Sequence, residues 1–267
     1  MSSRNATPID PTLSPVDIEK HRKELEKNVI AWILFFFPKY ARYPFAPFQI
    51  RAILRIIAHG EWYEVLSWAR ELAKSTIVMF IVMYLTLTGK KKNVLLVSSS
   101  KDNAVRLLAP YRANLEANQR IIAYYGQQEN LGNWTEDEFI TKGGAAFRAL
   151  GKGQSPRGSR NEEIRPDVLL VDDYDTDESV RNPNMVAKEW EWYEHALYPT
   201  RSTSEDTLIL WAGNILADDC CVVRAGRMAD HPDVINLRMV ATRPPPPPTH
   251  PPPPPPPPPA PPRPPPT

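Results

Sequence analysis

The chain has 267 residues, with 32 Lys+Arg against 31 Asp+Glu. Charge this evenly balanced argues against a protein that coats nucleic acid by bulk electrostatics, but it leaves room for a local basic patch. Many of the 31 prolines crowd toward the C-terminus, which leaves roughly 240 residues to fold, ample for one sizeable core. Cys220 and Cys221 are adjacent and offer neither a disulfide framework nor zinc spacing, which fits a reducing compartment. The five histidines are scattered without metal-ligand spacing. No signal peptide is read at the N-terminus. The apolar runs from Val29 to Phe37 and from Ile77 to Leu87 are both shorter than the roughly 20 residues that span a bilayer. A soluble protein is expected.

Residues 1–16 are polar and proline-punctuated and read as a flexible arm. A helix is predicted from Val16 to Phe37, capped by Asp17 and stopped by Pro38. A second runs from about Gln49 to His59, with Ile50, Ile53, Leu54 and Ile57 on one face and Gly60 at its end. The segment 17–60 is expected to form a helical lid ahead of the main domain, residues 61–243.

The stretch that organises the chain is Glu64 to Thr76. A short apolar run turns through Ala69-Arg70-Glu71-Leu72-Ala73 into Lys74-Ser75-Thr76 and then into a long apolar helix. A phosphate-binding loop needs that order: a strand delivers the chain, backbone N–H groups aim at phosphate oxygens, and the helix N-terminus adds its dipole. Lys74 would then meet the β- and γ-phosphates, and the Ser75 hydroxyl would bind Mg²⁺. Trp68 and Ala73 stand where G-x-x-x-x-G-K-[ST] has glycine. The alternative is an ordinary strand–turn–helix with a surface lysine.

Asn93 to Val97 reads as a buried parallel strand, followed by a polar turn, Ser98 to Ala104, at the start of a helix that runs to about Ala117. That turn is either a ligand-binding strand tip or an N-cap. Asn118 to Asp137 reads as loop. A strand pair follows, Phe139-Ile140-Thr141 and Ala145 to Ala149, around Gly143-Gly144. The turn from Gly151 to Arg160 is glycine-rich and basic, suited either to sensing phosphate or DNA or to a solvated hairpin.

Val168-Leu169-Leu170-Val171 is a buried strand ending in Asp172-Asp173. Asp172 is positioned to hold Mg²⁺ opposite Ser75, and Asp173 to orient or deprotonate an attacking water. Asp175, Asp177 and Glu178 read as a solvated acidic loop. A helix is expected after Pro183, with Trp190, Trp192 and Tyr193 packing. Thr207 to Ala212 forms another buried strand, tipped by Gly213-Asn214, where an amide can read a γ-phosphate. A strand from Asp233 to Val240 completes the sheet, and residues 244–267 form a polyproline-like tail that is disordered or artefactual.

Taken in order, Arg70 to Thr76, Val94 to Lys101, Pro156-Arg157-Gly158, Leu169 to Asp173 and Leu210 to Asn214 resemble the N-terminal ATPase domain of a tailed-bacteriophage terminase large subunit, a DNA-packaging motor. The resemblance implies a P-loop (RecA/ASCE-like) α/β fold, a mainly parallel sheet flanked by helices, using ATP and Mg²⁺. It implies that Gln49 contacts adenine, although the residues alone also allow a solvent-facing glutamine at a helix start. Arg70, Ala73, Lys74, Ser75, Thr76 and Asn214 would contact nucleotide, and Ser75 and Asp172 would hold the metal. Lys74, Asp173 and Arg70 would carry the chemistry. The family more often has glutamate where Asp173 stands, so this shorter acid must reach further. The implied partners are double-stranded DNA, a portal protein, a small terminase subunit and further copies in a ring, with no membrane, in the cytoplasm of a bacterial host. The family's nuclease domain is expected to be missing from this chain, and DNA cleavage with it. A helicase-like nucleic-acid-dependent ATPase and a truncated, non-catalytic remnant are the alternatives.

Overall fold

The computed structural model describes residues 14–41, 43–156 and 164–235. These belong to one compact unit that ends at Ile235. The arm before Ser14, the Arg157–Arg160 part of the basic turn, the strand continuation beyond Ile235 and the proline-rich tail lie outside the described residues.

Among the described residues, seven strands form a single sheet: β1 (Trp62–Trp68), β2 (Asn93–Ser98), β3 (Glu138–Ile140), β4 (Ala146–Gly151), β5 (Val168–Asp172), β6 (Leu208–Ala212) and β7 (His231–Ile235). Their order across the sheet is β3-β4-β2-β5-β6-β1-β7. Every neighbouring pair is parallel except β3 with β4. The unbroken apolar runs of β2, β5 and β6 suit strands covered on both faces. Alternation then sorts them: Leu66, Leu96, Leu170 and Leu210 enter one core, whereas Val65, Leu95, Leu169 and Ile209 enter the other. Pro232, which lacks a donor, is tolerated because β7 is an edge.

The first core also takes side chains from α1 (Pro15–Glu26), α2 (Val29–Phe36), α3 (Pro47–Ile57), α4 (Lys74–Leu87), α5 (Lys101–Ala117) and α6 (Gln119–Tyr125). The second core is closed by α7 (Pro183–Trp192) and α8 (Cys221–Met228). The molecule is therefore an α/β protein with a mostly parallel sheet flanked by helices. No described helix is long and apolar enough to cross a membrane.

Every residue of α4 from Ile77 to Thr86 is buried. A helix that is apolar all round needs cover on its outer face as well as its inner one. Trp32 meets Tyr84 with ring centroids 5.2 Å apart, and Phe37 meets Phe80 at 5.1 Å. The segment expected as a lid thus forms the outer wall of α4.

The single helix expected from Val16 to Phe37 is two helices. Asn28 Oδ1 accepts hydrogen bonds from Ile30 N and Ala31 N and starts a second helix. The break lets apolar α2 enter the core while α1, which has no fully buried residue, only rests Ile18 and Leu25 against it. The expected arm is also shorter, because Ser14 caps α1 and Pro15 begins it. A side-chain cap likewise makes α6 a helix where a loop is expected: Asn118 accepts from Arg120 N and Ile121 N.

Helix α3 is held at its far end by Arg55. Its guanidinium donates to both carboxylate oxygens of Glu64, which is fully buried on β1, and to Asp233 Oδ2 on β7 at 2.7 Å.

Candidate functional site

The parallel strands β1, β6, β5 and β2 end side by side, and ligands in open α/β sheets bind at such strand ends. A cleft of about 590 Å³ lies there. Arg70, Ala73, Lys74, Ser75, Thr76, Asp173 and Asn214 all line it, together with Ser99, Asn103 and Gly213. Residues separated by some 140 positions in sequence therefore share one cavity, as the Lys74–Asn214 hydrogen bond shows directly.

Between β1 and α4 the loop turns sharply. Glu71 has φ 69° and Ala73 has φ 61° and ψ 30°, so two residues with side chains sit in the left-handed region. The second occupies a position where glycine would meet no penalty. Replacing Ala73 with glycine is expected to raise unfolding stability by about 0.5–1 kcal/mol in urea titration. A decrease would show that this conformation costs nothing.

Lys74 opens α4 and is buried. Its Nζ donates to Trp68 O at 2.6 Å, to Ala69 O at 3.3 Å and to Asn214 Oδ1 at 2.9 Å, which occupies all three of its protons. Burial lowers its pKa, while the charges of Asp172 and Asp173 pull it back up. A ligand entering the cleft must compete with carbonyl oxygens for this ammonium.

The two acids diverge. Asp172 is buried at the end of β5, and its Oδ1 has no hydrogen-bond partner. Burial raises its pKa to about 7, with the neighbouring Asp173 charge adding to the rise and a hydrogen bond with Ser75 and the Lys74 charge opposing it. It lines a smaller cavity of about 110 Å³ shared with Ser75, Thr76 and Tyr111. Asp173 turns the other way, into the main cleft. Its backbone has φ 48° and is fixed on both sides: its N–H donates to Ala212 O, and its carbonyl accepts from Ser99 N and Ser98 Oγ. A buried carboxylate oxygen without a partner, beside a serine hydroxyl at a helix start, is a donor set suited to a hard cation such as Mg²⁺.

Gly213 and Asn214 follow β6. A Cβ on Gly213 would stand 3.0 Å from Val222 Cγ2, so glycine lets α8 press against this strand tip. Val222 is held there by Asp175, whose two carboxylate oxygens accept from Cys221 N at 2.9 Å and Val222 N at 2.8 Å. Asp175 is thus the anchor of α8 and not part of a solvated acidic loop. No local pattern marks it, because its partners lie 46 and 47 residues away.

Gln49, and Ser100, Lys101 and Lys152 from the two polar turns, lie elsewhere. Gln49 is not among the residues lining the cleft; its amide bonds to Ala46 N and Leu72 O. Lys101 turns to Ala149 O and Asp137, and Ser100 acts as the N-cap of α5. Lys152, in the basic turn, pairs with Glu189 and donates to Tyr174 O.

Among the described residues, two other groups bring three metal-type donors together, Glu64 with His231 and Asp233, and Asp175 with Glu189 and Cys221. Arg55 bonds Glu64 and Asp233 in the first, and backbone N–H groups and Lys152 engage Asp175 and Glu189 in the second, while His231 Nδ1 and Glu189 Oε2 are left without a hydrogen-bond partner. No protein-family model matches the chain, and the comparison with curated proteins found no match.

Proposed function

We propose that this chain is a Mg²⁺-dependent nucleoside triphosphate hydrolase of the P-loop type that uses ATP and drives the movement of double-stranded DNA. The observation that carries the proposal is the convergence of Lys74, Ser75, Asp173 and Asn214 on one cleft, with the unpartnered oxygen of Asp172 buried behind Ser75.

In this reading, the N–H groups opening α4 and the Lys74 ammonium bind the β- and γ-phosphates. Ser75 and Asp172 would hold the cation, whose positive charge would offset charge on the phosphate oxygens. Asp173 accepts a hydrogen bond from the attacking water and orients it for in-line approach. Asn214 gives up Lys74 when phosphate arrives, so the β6 tip registers occupancy. Arg70 adds a guanidinium at the cleft mouth that suits phosphate oxygens.

The finer identity follows from the order of motifs, which resembles that of a terminase large subunit. On that basis the motor acts in the cytoplasm of a bacterial host, as a ring of copies engaging a portal and a small terminase subunit. Phosphate release from ATP, measured with and without duplex DNA, tests it. Mg²⁺-dependent turnover stimulated by duplex, without strand separation, is expected. Separation of the strands would instead favour a helicase, and nucleotide binding without turnover would leave a non-catalytic remnant.

A further inference from the structure

We propose that Gln49 is a positioning residue that clamps the phosphate loop, and that it does not read the nucleotide base. This deepens the proposal above and rests on it for its nucleotide part only. Gln49 Oε1 accepts from Ala46 N at 2.9 Å, and Nε2 donates to Leu72 O at 3.1 Å. Only one orientation of the amide satisfies both bonds, because one partner is a donor and the other an acceptor. These bonds leave Oε1 one lone pair and Nε2 one N–H, but Gln49 is not among the residues that line the cleft where a nucleotide would lie.

The clamp falls where the loop most needs support. Leu72 lies between Glu71 and Ala73, the two residues in left-handed conformation. Leu72 O is gripped from α3, a helix that is itself fixed at both ends. Phe48 meets Trp68 edge-on with ring centroids 4.9 Å apart, and Arg55 ties the last turn to β1 and β7. Gln49 therefore transfers the rigidity of α3 to the loop that carries Lys74. Its contribution falls on phosphate affinity, which is common to all nucleoside triphosphates.

Gln49→Glu separates the two bonds. A glutamate still accepts from Ala46 N, so the helix cap survives, but it cannot donate to Leu72 O. Two measurements on the full chain decide the matter. The first is hydrogen exchange of amides 70–76 without nucleotide. The second is the affinity of fluorescent ATP and GTP analogues in Mg²⁺. The expected result is about tenfold faster exchange in the loop, unchanged exchange in the middle of α3, and an equal loss of affinity for both analogues. Unchanged loop exchange would overturn the clamp. A changed ATP-to-GTP ratio would overturn the claim that the base goes unread. If the unaltered protein bound neither analogue, the nucleotide proposal would fail, while loop exchange would still decide the clamp.

Discussion

Lys74→Ala is expected to abolish the proposed triphosphate hydrolysis while leaving the fold in place. Turnover should fall by on the order of 10²–10³-fold or more, the usual cost of losing a preorganised charge that faces developing phosphate charge. Stability should change little, because two effects oppose each other. The substitution leaves Trp68 O, Ala69 O and Asn214 Oδ1 without their donor, and it also removes a buried ammonium whose burial is unfavourable. Phosphate release and a thermal melt, measured on the same preparation, separate these effects. Undiminished turnover would exclude the loop from the chemistry. A collapsed melt would instead show that Lys74 is a structural strut.

The second large effect concerns Asp172 and pH. Its folded-state pKa stands at about 7 against an ordinary 3.8, so between those values the folded protein holds a proton that the unfolded chain has lost. Stability of the metal-free protein therefore falls as pH rises from about 4 to about 7 and levels off above that. A gap of about three pH units corresponds to on the order of 4 kcal/mol. Asp172→Asn carries no such charge and should show a flatter profile, gaining on the parent protein as pH rises. Urea unfolding at pH 5 and pH 8 in chelator tests this, and parallel profiles would contradict it. Adding Mg²⁺ at pH 8 should stabilise the parent and leave Asp172→Asn nearly unchanged, because a bound cation replaces the missing proton.

Much of the sheet was legible in the sequence. Four-residue apolar runs such as Val94 to Val97 and Val168 to Val171 suit strands buried on both faces, and the two pair in parallel. That Lys74, Ser75, Asp173 and Asn214 would meet at one cleft was legible for the same reason, because each sits at a strand tip or a helix start. What escaped were side chains whose partners lie far along the chain. Asp175 reaches across 46 residues to start α8, and Gln49 across 23 to Leu72. Asparagine caps were missed too: Asn28 and Asn118 set helix boundaries by bonding to their own next turns, overriding the apolar periodicity around them. The outer cover of α4 was legible only as an excess of apolar residues, without any sign of which segment would supply it.

In the proposed enzyme, one triphosphate and one cation would join Lys74 to the two aspartates. A crystal structure with Mg²⁺ and a non-hydrolysable ATP analogue tests it most directly. The triphosphate should lie across the N–H groups of residues 70–76 with Lys74 Nζ turned onto it, and the cation should sit about 2.1 Å from Ser75 Oγ with Asp172 facing it directly or through water. A nucleotide bound outside this cleft, or a cation held elsewhere with Lys74 still bonded to Trp68 O and Asn214, would contradict the account.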